Sequence, residues 1–240
     1  MLAINYKSLF TIATVLCVFI GCTSNSEHTM TLAGNSLPVS TDLAMDSSII
    51  ELYRPYKIAL DSIMEEVLCY SPFYLEKNKP ESRLNNWMAD VCFESATKTH
   101  SADFCLLNYG GIRASLPKGA IRTKNIYELM PFENELVIIE IPDTSFTKAL
   151  NYLKLSGGHP ISNIKLTISD RQIVHSLSKK SSVRIVTSDY LANGGDKMFF
   201  FKDSISMVKT GLKIRDVLLT ECIHTDTLLT TIDNRFVYEH

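Results

Sequence analysis

Three short segments carry side chains whose types and order can do chemistry. The first is Asn108-Tyr109-Gly110-Gly111-Ile112-Arg113. It follows Asp103 to Leu107, an apolar run that reads as a buried strand. Paired glycines after a strand permit close backbone approach and positive φ. The arginine offers a rigid fork of donors to a phosphate or carboxylate. The second segment is Met130-Pro131-Phe132-Glu133-Asn134-Glu135-Leu136, in which Pro131 sets the entry to a strand and Asn134 can bond its own turn. The third, Thr187-Ser188-Asp189-Tyr190-Leu191-Ala192-Asn193-Gly194-Gly195-Asp196, runs from a strand into a tight turn. Tyr190 presents a flat ring on which a base can stack, and Asp196 an acceptor for ribose hydroxyls or a ring N–H. Taken singly, each is an ordinary turn: a Gly-Gly bend with a surface Arg, a loop with a core Phe, a hairpin with a solvent-facing Asp.

Elements of mixed type must position these segments. Ser47 to Cys69 has near-helical apolar spacing, and Asp61-Ser62 with Glu65-Glu66 reads as its solvated face. Ser82 is a candidate N-cap for a helix to Thr97 in which Leu84, Trp87, Met88, Val91 and Cys92 share one face. The stretch Glu135 to Ile141, ELVIIEI, is the strongest strand signal in the chain. Thr144 can cap a following helix that carries Phe146, Ala149, Leu150 and Leu153, and Gly157-Gly158 stops it. Ile164 to Ile168 and Ser182 to Thr187 read as strands, Met198 to Phe201 as a short aromatic stretch, Gly211 to His224 as a helix, and Arg235 to Tyr238 as a closing strand. Strands and helices mix without strict alternation, which predicts a mixed α/β (α+β) domain rather than a doubly wound parallel sheet.

The 240 residues include 45% hydrophobic and 21% charged, which excludes a wholly disordered chain. A net charge of -2 argues against a nucleic-acid partner, because counterion release needs clustered cations. At the N-terminus, Lys7 precedes an apolar run from Leu9 to Gly21 that is short for a bilayer span and fits a secretory h-region. It ends in Phe19-Ile20-Gly21-Cys22, which resembles a bacterial lipobox with Phe19 in place of the usual Leu. The expectation is a lipoprotein signal over 1–21, lipidation of Cys22, a flexible tether over 22–45 and one domain over 46–240. A single anchor helix with an incidental cysteine is the alternative. Cys69, Cys92, Cys105 and Cys222 would remain, with no CxxC pair and no metal-ligand spacing. Export would make disulfides possible, while the apolar neighbours of Cys92 and Cys105 favour buried free thiols.

Together, NxGGIR, PFxNxL and YxxNGGD resemble the C-terminal domain of the 5′-nucleotidase family. The opening helix Glu81-Ser82-Arg83-Leu84-Asn85-Asn86-Trp87-Met88-Ala89-Asp90 is similar to the family's S-x-L-G-N-x-x-A-D pattern, with Asn85 where the pattern has Gly. The resemblance implies a mixed sheet with flanking helices that binds the nucleotide. It places Arg113 at the phosphate end, with Asn108, Gly110 and Gly111 shaping that loop. Tyr190 would stack on the base, where the family usually has Phe, and Asp196 would bond the nucleoside. Ser156 to Asn163 is matched to the region of the family's other stacking aromatic. Ile161 stands at the aromatic position and Asn163 at a polar contact, which implies a sandwich lacking one ring and weakened base binding. His159 is a substitute flat partner or a solvated loop residue, and Arg122 a second, lesser phosphate contact.

In that family a separate domain holds two metals about 3.5–4 Å apart. The six histidines here, His28, His100, His159, His175, His224 and His240, show no Asp-x-His or Asn-His-Asp/Glu pattern. Neither GxSxG, nor a Cys/His arrangement, nor GxxxxGK[ST] is present. The expectation is therefore no cofactor in this chain, with divalent metals only in a partner. The function implied is the specificity half of a split 5′-nucleotidase-type phosphohydrolase, lipid-anchored in the cell envelope on the periplasmic or outer-membrane face. A membrane-anchored nucleotide-binding module without enzymatic role is the alternative. A bare interaction domain with a vestigial site is disfavoured by Arg113, Tyr190 and Asp196.

Overall fold

A computed structural model describes residues 46–239, of which those from Ser48 onward belong to one unit. The expected signal segment over 1–21, the expected lipidation at Cys22 and the expected tether over 22–45 lie outside the described residues. No helix among the described residues is long and apolar enough to cross a membrane.

The ELVIIEI run forms β4 (Glu135–Pro142), near the middle of a five-stranded sheet. The other strands are β2 (Phe104–Leu106), β5 (Ile161–Ser162), β8 (Ser182–Ser188) and β9 (Ser206–Lys213), in the order β5-β2-β8-β4-β9. A strand buried on both faces reads as a continuous apolar run, and β4 does so because its alternate residues enter two cores. Leu136 and Ile138 join one, Val137, Ile139 and Ile141 the other. The first core is closed by α2 (Arg83–Thr97), α3 (Thr123–Leu129) and α6 (Ile214–His224), through Leu84, Trp87, Met88, Ile126, Leu129, Val217 and Leu218. The second is closed by α4 (Asp143–Ser156), through Phe146, Ala149, Leu150 and Leu153. A small sheet, β10-β6-β7, made of Phe236–Tyr238, Leu166–Ile168 and Ile173–His175, adds Leu166, Ile168 and Phe236 to that core. The result is a mixed α/β fold, as the order of elements predicted, with helices on both sides of a mixed sheet, as the resemblance implied.

Ser82 caps α2 as expected, its Oγ accepting from Asn85 N at 3.1 Å. Helix α4 ends as expected at Gly157, which sits at φ 76 and takes the left-handed conformation that glycine tolerates. Cys69, Cys92, Cys105 and Cys222 are buried free thiols, and burial pushes Cys92 up to about 12. Three boundaries differ from the sequence reading. The first helix, α1 (Ser47–Met64), stops short of Cys69, because Val67–Ser71 forms β1 and pairs antiparallel with β3 (Gly119–Arg122). The α4 helix starts one residue before Thr144, with Pro142 at its N-cap. Gly211 to Lys213 belongs to β9, so α6 begins only at Ile214. The short aromatic stretch at Met198 to Phe201 leads into a 3-10 turn, Phe199–Asp203. Asp61 on α1 pairs with Lys57, and Glu65, just past the end of α1, with Arg122 and Lys124; both carboxylates are more than half exposed, so the acidic patch is solvated.

The topology brings the three chemistry-bearing segments to one end of the sheet. Strands β2 and β8 run parallel, so Asn108 and Asp189 leave from the same end. Strand β4 runs antiparallel to β8, so its entry loop with Phe132 lies at that end as well.

Candidate functional site

Beyond β2 the chain turns through a single 3-10 bend, Tyr109–Gly111, closed by Gly111 N–H donating to Asn108 O at 3.1 Å. His159 supports this bend from behind. It is 6% exposed, and its Nδ1 accepts the Tyr109 N–H at 3.1 Å. This corrects both sequence readings of His159, since the ring is neither solvated nor a lining partner. Burial, and then the charge of Lys79, push its pKa down to about 4, which keeps the acceptor nitrogen unprotonated. The unfolded chain takes up this proton near pH 6.5. Between 6.5 and 4 it therefore binds more protons than the native state, and stability falls as pH falls through that window. Urea midpoints of the wild type are expected to drop from pH 7 to pH 4.5. His159→Gln is expected to flatten that profile, and an unchanged slope in the variant would refute the assignment.

The Arg113 backbone is pinned by its N–H donating to Leu129 O at 2.9 Å, while its side chain is exposed. Its guanidinium lies 6.0 Å from the Phe132 ring centroid and has no ion pair among the described residues. Lys77 is a second cation here. Its Nζ donates to Ile112 O at 2.7 Å, and burial together with Arg113 lowers its pKa.

Phe132 is 41% exposed and lines the cleft beside Tyr190, so it is not the core residue that the loop reading expected. Pro131 and the buried Met130 turn the chain so that the next ring points outward. Asp189 joins this loop to the next. Its Oδ1 accepts from Asn134 Nδ2 at 3.0 Å, Glu135 N at 3.2 Å and Tyr190 N at 2.8 Å. Glu133 is held from the far side by Lys213 at 2.6 Å and by Arg215.

The third loop begins with Ser188, whose Oγ accepts from Leu191 N and caps the short helix α5 (Asp189–Ala192). The expected hairpin is therefore a helical turn followed by a tight bend. The Tyr190 ring lies directly on Gly195, where a Cβ would sit 2.5 Å from Cε1 and Cζ. Only glycine leaves that ring room to lie flat. Asp196 stands across the bend, its Oδ2 accepting from Asn108 Nδ2 at 2.7 Å.

These loops enclose an open cleft of about 590 Å³. Asn108, Gly110, Gly111 and Arg113 form one wall, Phe132, Glu133 and Asn134 a second, and Tyr190 with Asp196 the third. Six of the seven residues expected to bind ligand thus meet in one place. Asn163 does not line it: it sits at φ 59, and its Nδ2 donates to Asp103 O at 2.8 Å. Ile161 is 1% exposed in β5, inside the core. The second ring of the cleft is therefore Phe132 and not a residue near position 161. The signal available in the sequence was an aromatic directly after a proline, at the mouth of the strongest strand. Arg122 lies elsewhere, with its Nη1 donating to Glu65 O. Two aromatic rings, a guanidinium without an ion pair among the described residues and a carboxylate suit a flat ring system that carries hydroxyls and an anion. Among the described residues, no group of three or more His, Cys, Asp or Glu side chains is arranged to hold a metal ion.

A family model for the 5′-nucleotidase C-terminal domain matches residues 66–203, more than half of the chain. The chain belongs to this family. Among curated relatives, an apyrase from Tabanus yao is 23% identical over 78% of this chain and 40% of its own length. A 5′-nucleotidase from Vibrio cholerae is 23% identical over 75% of this chain and 34% of its own. Among solved structures, a 5′-nucleotidase precursor from Thermus thermophilus superposes with a TM-score of 0.68 at 22% identity, covering 80% of this chain and 43% of that one. The chain therefore spans less than half the length of these relatives. In this 5′-nucleotidase C-terminal domain, two residues of the opening-helix pattern act structurally. Asp90 binds Arg235 through both oxygens. Asn85, the departure from the glycine of the pattern, is buried, and its Nδ2 donates to Asn78 O at 2.7 Å.

Proposed function

We propose that this chain is the nucleotide-binding, specificity-determining half of a 5′-nucleotidase-type phosphohydrolase, and that a separate metallophosphatase supplies the hydrolytic centre. The observation that carries the reading is the convergence of Arg113, Phe132, Tyr190 and Asp196 on one cleft. A base enters between the two rings, Asp196 accepts from the sugar, and Arg113 takes the phosphate end. Membership of the family supports nucleotide as the ligand class. The signal over 1–21 and the lipid on Cys22 would place the domain on the envelope, where extracytoplasmic nucleotides are met.

The test is calorimetry with AMP, paired with phosphate release. The purified chain is expected to bind AMP and release no phosphate, and phosphate is expected once a metallophosphatase lacking this domain is added. Release by the chain alone, with Mn²⁺ or Zn²⁺ supplied, would overturn the split. Binding without release in any mixture favours the anchored binding module. Arg113→Ala is expected to weaken AMP binding about tenfold, because charge-assisted hydrogen bonds are the strong ones. Arg122→Ala is expected to leave it nearly unchanged, since Arg122 serves Glu65. Equal effects would remove Arg113 from the phosphate end.

A further inference from the structure

Asp196 is held by every polar group it has. The Tyr190 O–H donates to its Oδ1 at 2.9 Å, and the same hydroxyl accepts the Asp196 N–H at 3.2 Å, closing a small ring. Asn108 Nδ2 donates to Oδ2 at 2.7 Å. The Tyr152 O–H donates to the Asp196 carbonyl at 2.8 Å. The residue sits at φ 50 and Lys197 after it at φ 62, in the left-handed region that side chains other than glycine rarely take. Such a bend persists when its surroundings over-determine it, and here two tyrosine hydroxyls do so. A phenylalanine ring at position 190 would stack on a ligand as Tyr190 does and would make neither of the Tyr190 bonds.

We propose that the Tyr190 hydroxyl is a positioning group that fixes the Asp196 carboxylate as a two-pronged acceptor for a vicinal diol, so that the cleft selects ribonucleosides over their dideoxy counterparts. The inference rests on the nucleotide-binding reading above. Each carboxylate oxygen offers two acceptor directions. Tyr190 occupies one on Oδ1 and Asn108 one on Oδ2, which leaves one on each oxygen for neighbouring hydroxyls. With both oxygens anchored the carboxylate is held against swivelling, so less ordering cost falls on ligand binding.

Calorimetry with adenosine and 2′,3′-dideoxyadenosine tests this through the ratio of the two affinities. The wild type is expected to favour adenosine about tenfold or more, the difference that hydrogen bonds to a charged acceptor make. Tyr190→Phe is expected to bring the ratio down to about twofold, through loss of the preordered acceptor. Asn108→Ala removes the other anchor and is expected to act in the same direction, which keeps the test open should Tyr190→Phe fold poorly. A ratio unchanged in both variants, with adenosine still bound, would overturn the positioning role and leave the nucleotide reading intact. Equal weakening of both ligands would also overturn it, since that is the mark of lost stacking or folding. Failure of the wild type to bind either nucleoside would remove the nucleotide reading and this inference with it.

Discussion

Replacing Phe132 with alanine is expected to lower AMP affinity by about ten- to a hundredfold while leaving the melting temperature close to wild type. The ring is 41% exposed and lies at the cleft wall beside Tyr190, so its truncation opens no cavity in either core. Stacking of one base on one aromatic side chain is worth about 1–3 kcal/mol. Arg113 also loses the ring face that its guanidinium approaches, and a cation over an aromatic face contributes about 0.5–1 kcal/mol at exposed sites. Both losses act on the ligand rather than on the fold. Calorimetry with AMP, run beside thermal unfolding, checks the result. An affinity within twofold of wild type would mean that the base does not lie against this ring. Ile161→Ala is the informative contrast. Ile161 is fully inside the core, so its replacement is expected to cost stability, by about 2–5 kcal/mol, rather than to act on stacking.

Replacing Arg235 with alanine is expected to destabilise the domain by about 3 kcal/mol, read as a urea midpoint and a melting temperature roughly 6–12 °C lower. Arg235 has a side chain only 10% exposed and ties three elements together. Its guanidinium donates to Asp90 Oδ1 and Oδ2 at 2.6 and 3.0 Å, to both Asp233 oxygens, and to Ile161 O at 3.0 Å. Asp90 also accepts from Ser162 Oγ, so α2, β5 and the approach to β10 meet at one ion cluster. Burial works against the charge on Arg235, but the bonds to Asp233 and Asp90 outweigh it and raise its pKa. Removing the cation leaves two carboxylates beside one another without their partner, and that uncompensated charge dominates the loss. The carboxylates are 36% and 42% exposed, which puts the cost at the low end of about 3–5 kcal/mol for fully buried pairs. A shift under about 1 kcal/mol, the range of surface pairs, would show that solvent takes over from the arginine.

The elements whose evidence is local could be read from the sequence. The ELVIIEI run, the α2 face from Leu84 to Cys92, the Ser82 cap and the Gly157-Gly158 stop each depend on residues within a few turns of one another, and all stand in the fold. The Gly-Gly-Ile-Arg bend and the Asn-Gly-Gly-Asp turn were legible for the same reason, as glycines at strand ends. The family was legible from these motifs in their order along the chain. Tertiary structure alone decided what depends on pairing. Val67 to Cys69 continues the apolar spacing of α1, yet Val67–Ser71 leaves the helix because β3 pairs with it across fifty residues of chain. Strand β9 is not legible in the sequence because six of its eight residues are exposed, which erases the alternation that marks a strand. His159 looks like a loop residue until the bend at Tyr109 covers it, and Phe132 looks like a core residue until the parallel pairing of β2 with β8, and the antiparallel pairing of β4, bring three loop mouths together. Periodicity reports which face of an element avoids water. It carries no information about which distant element will cover that face, and the second wall of the cleft depended on that.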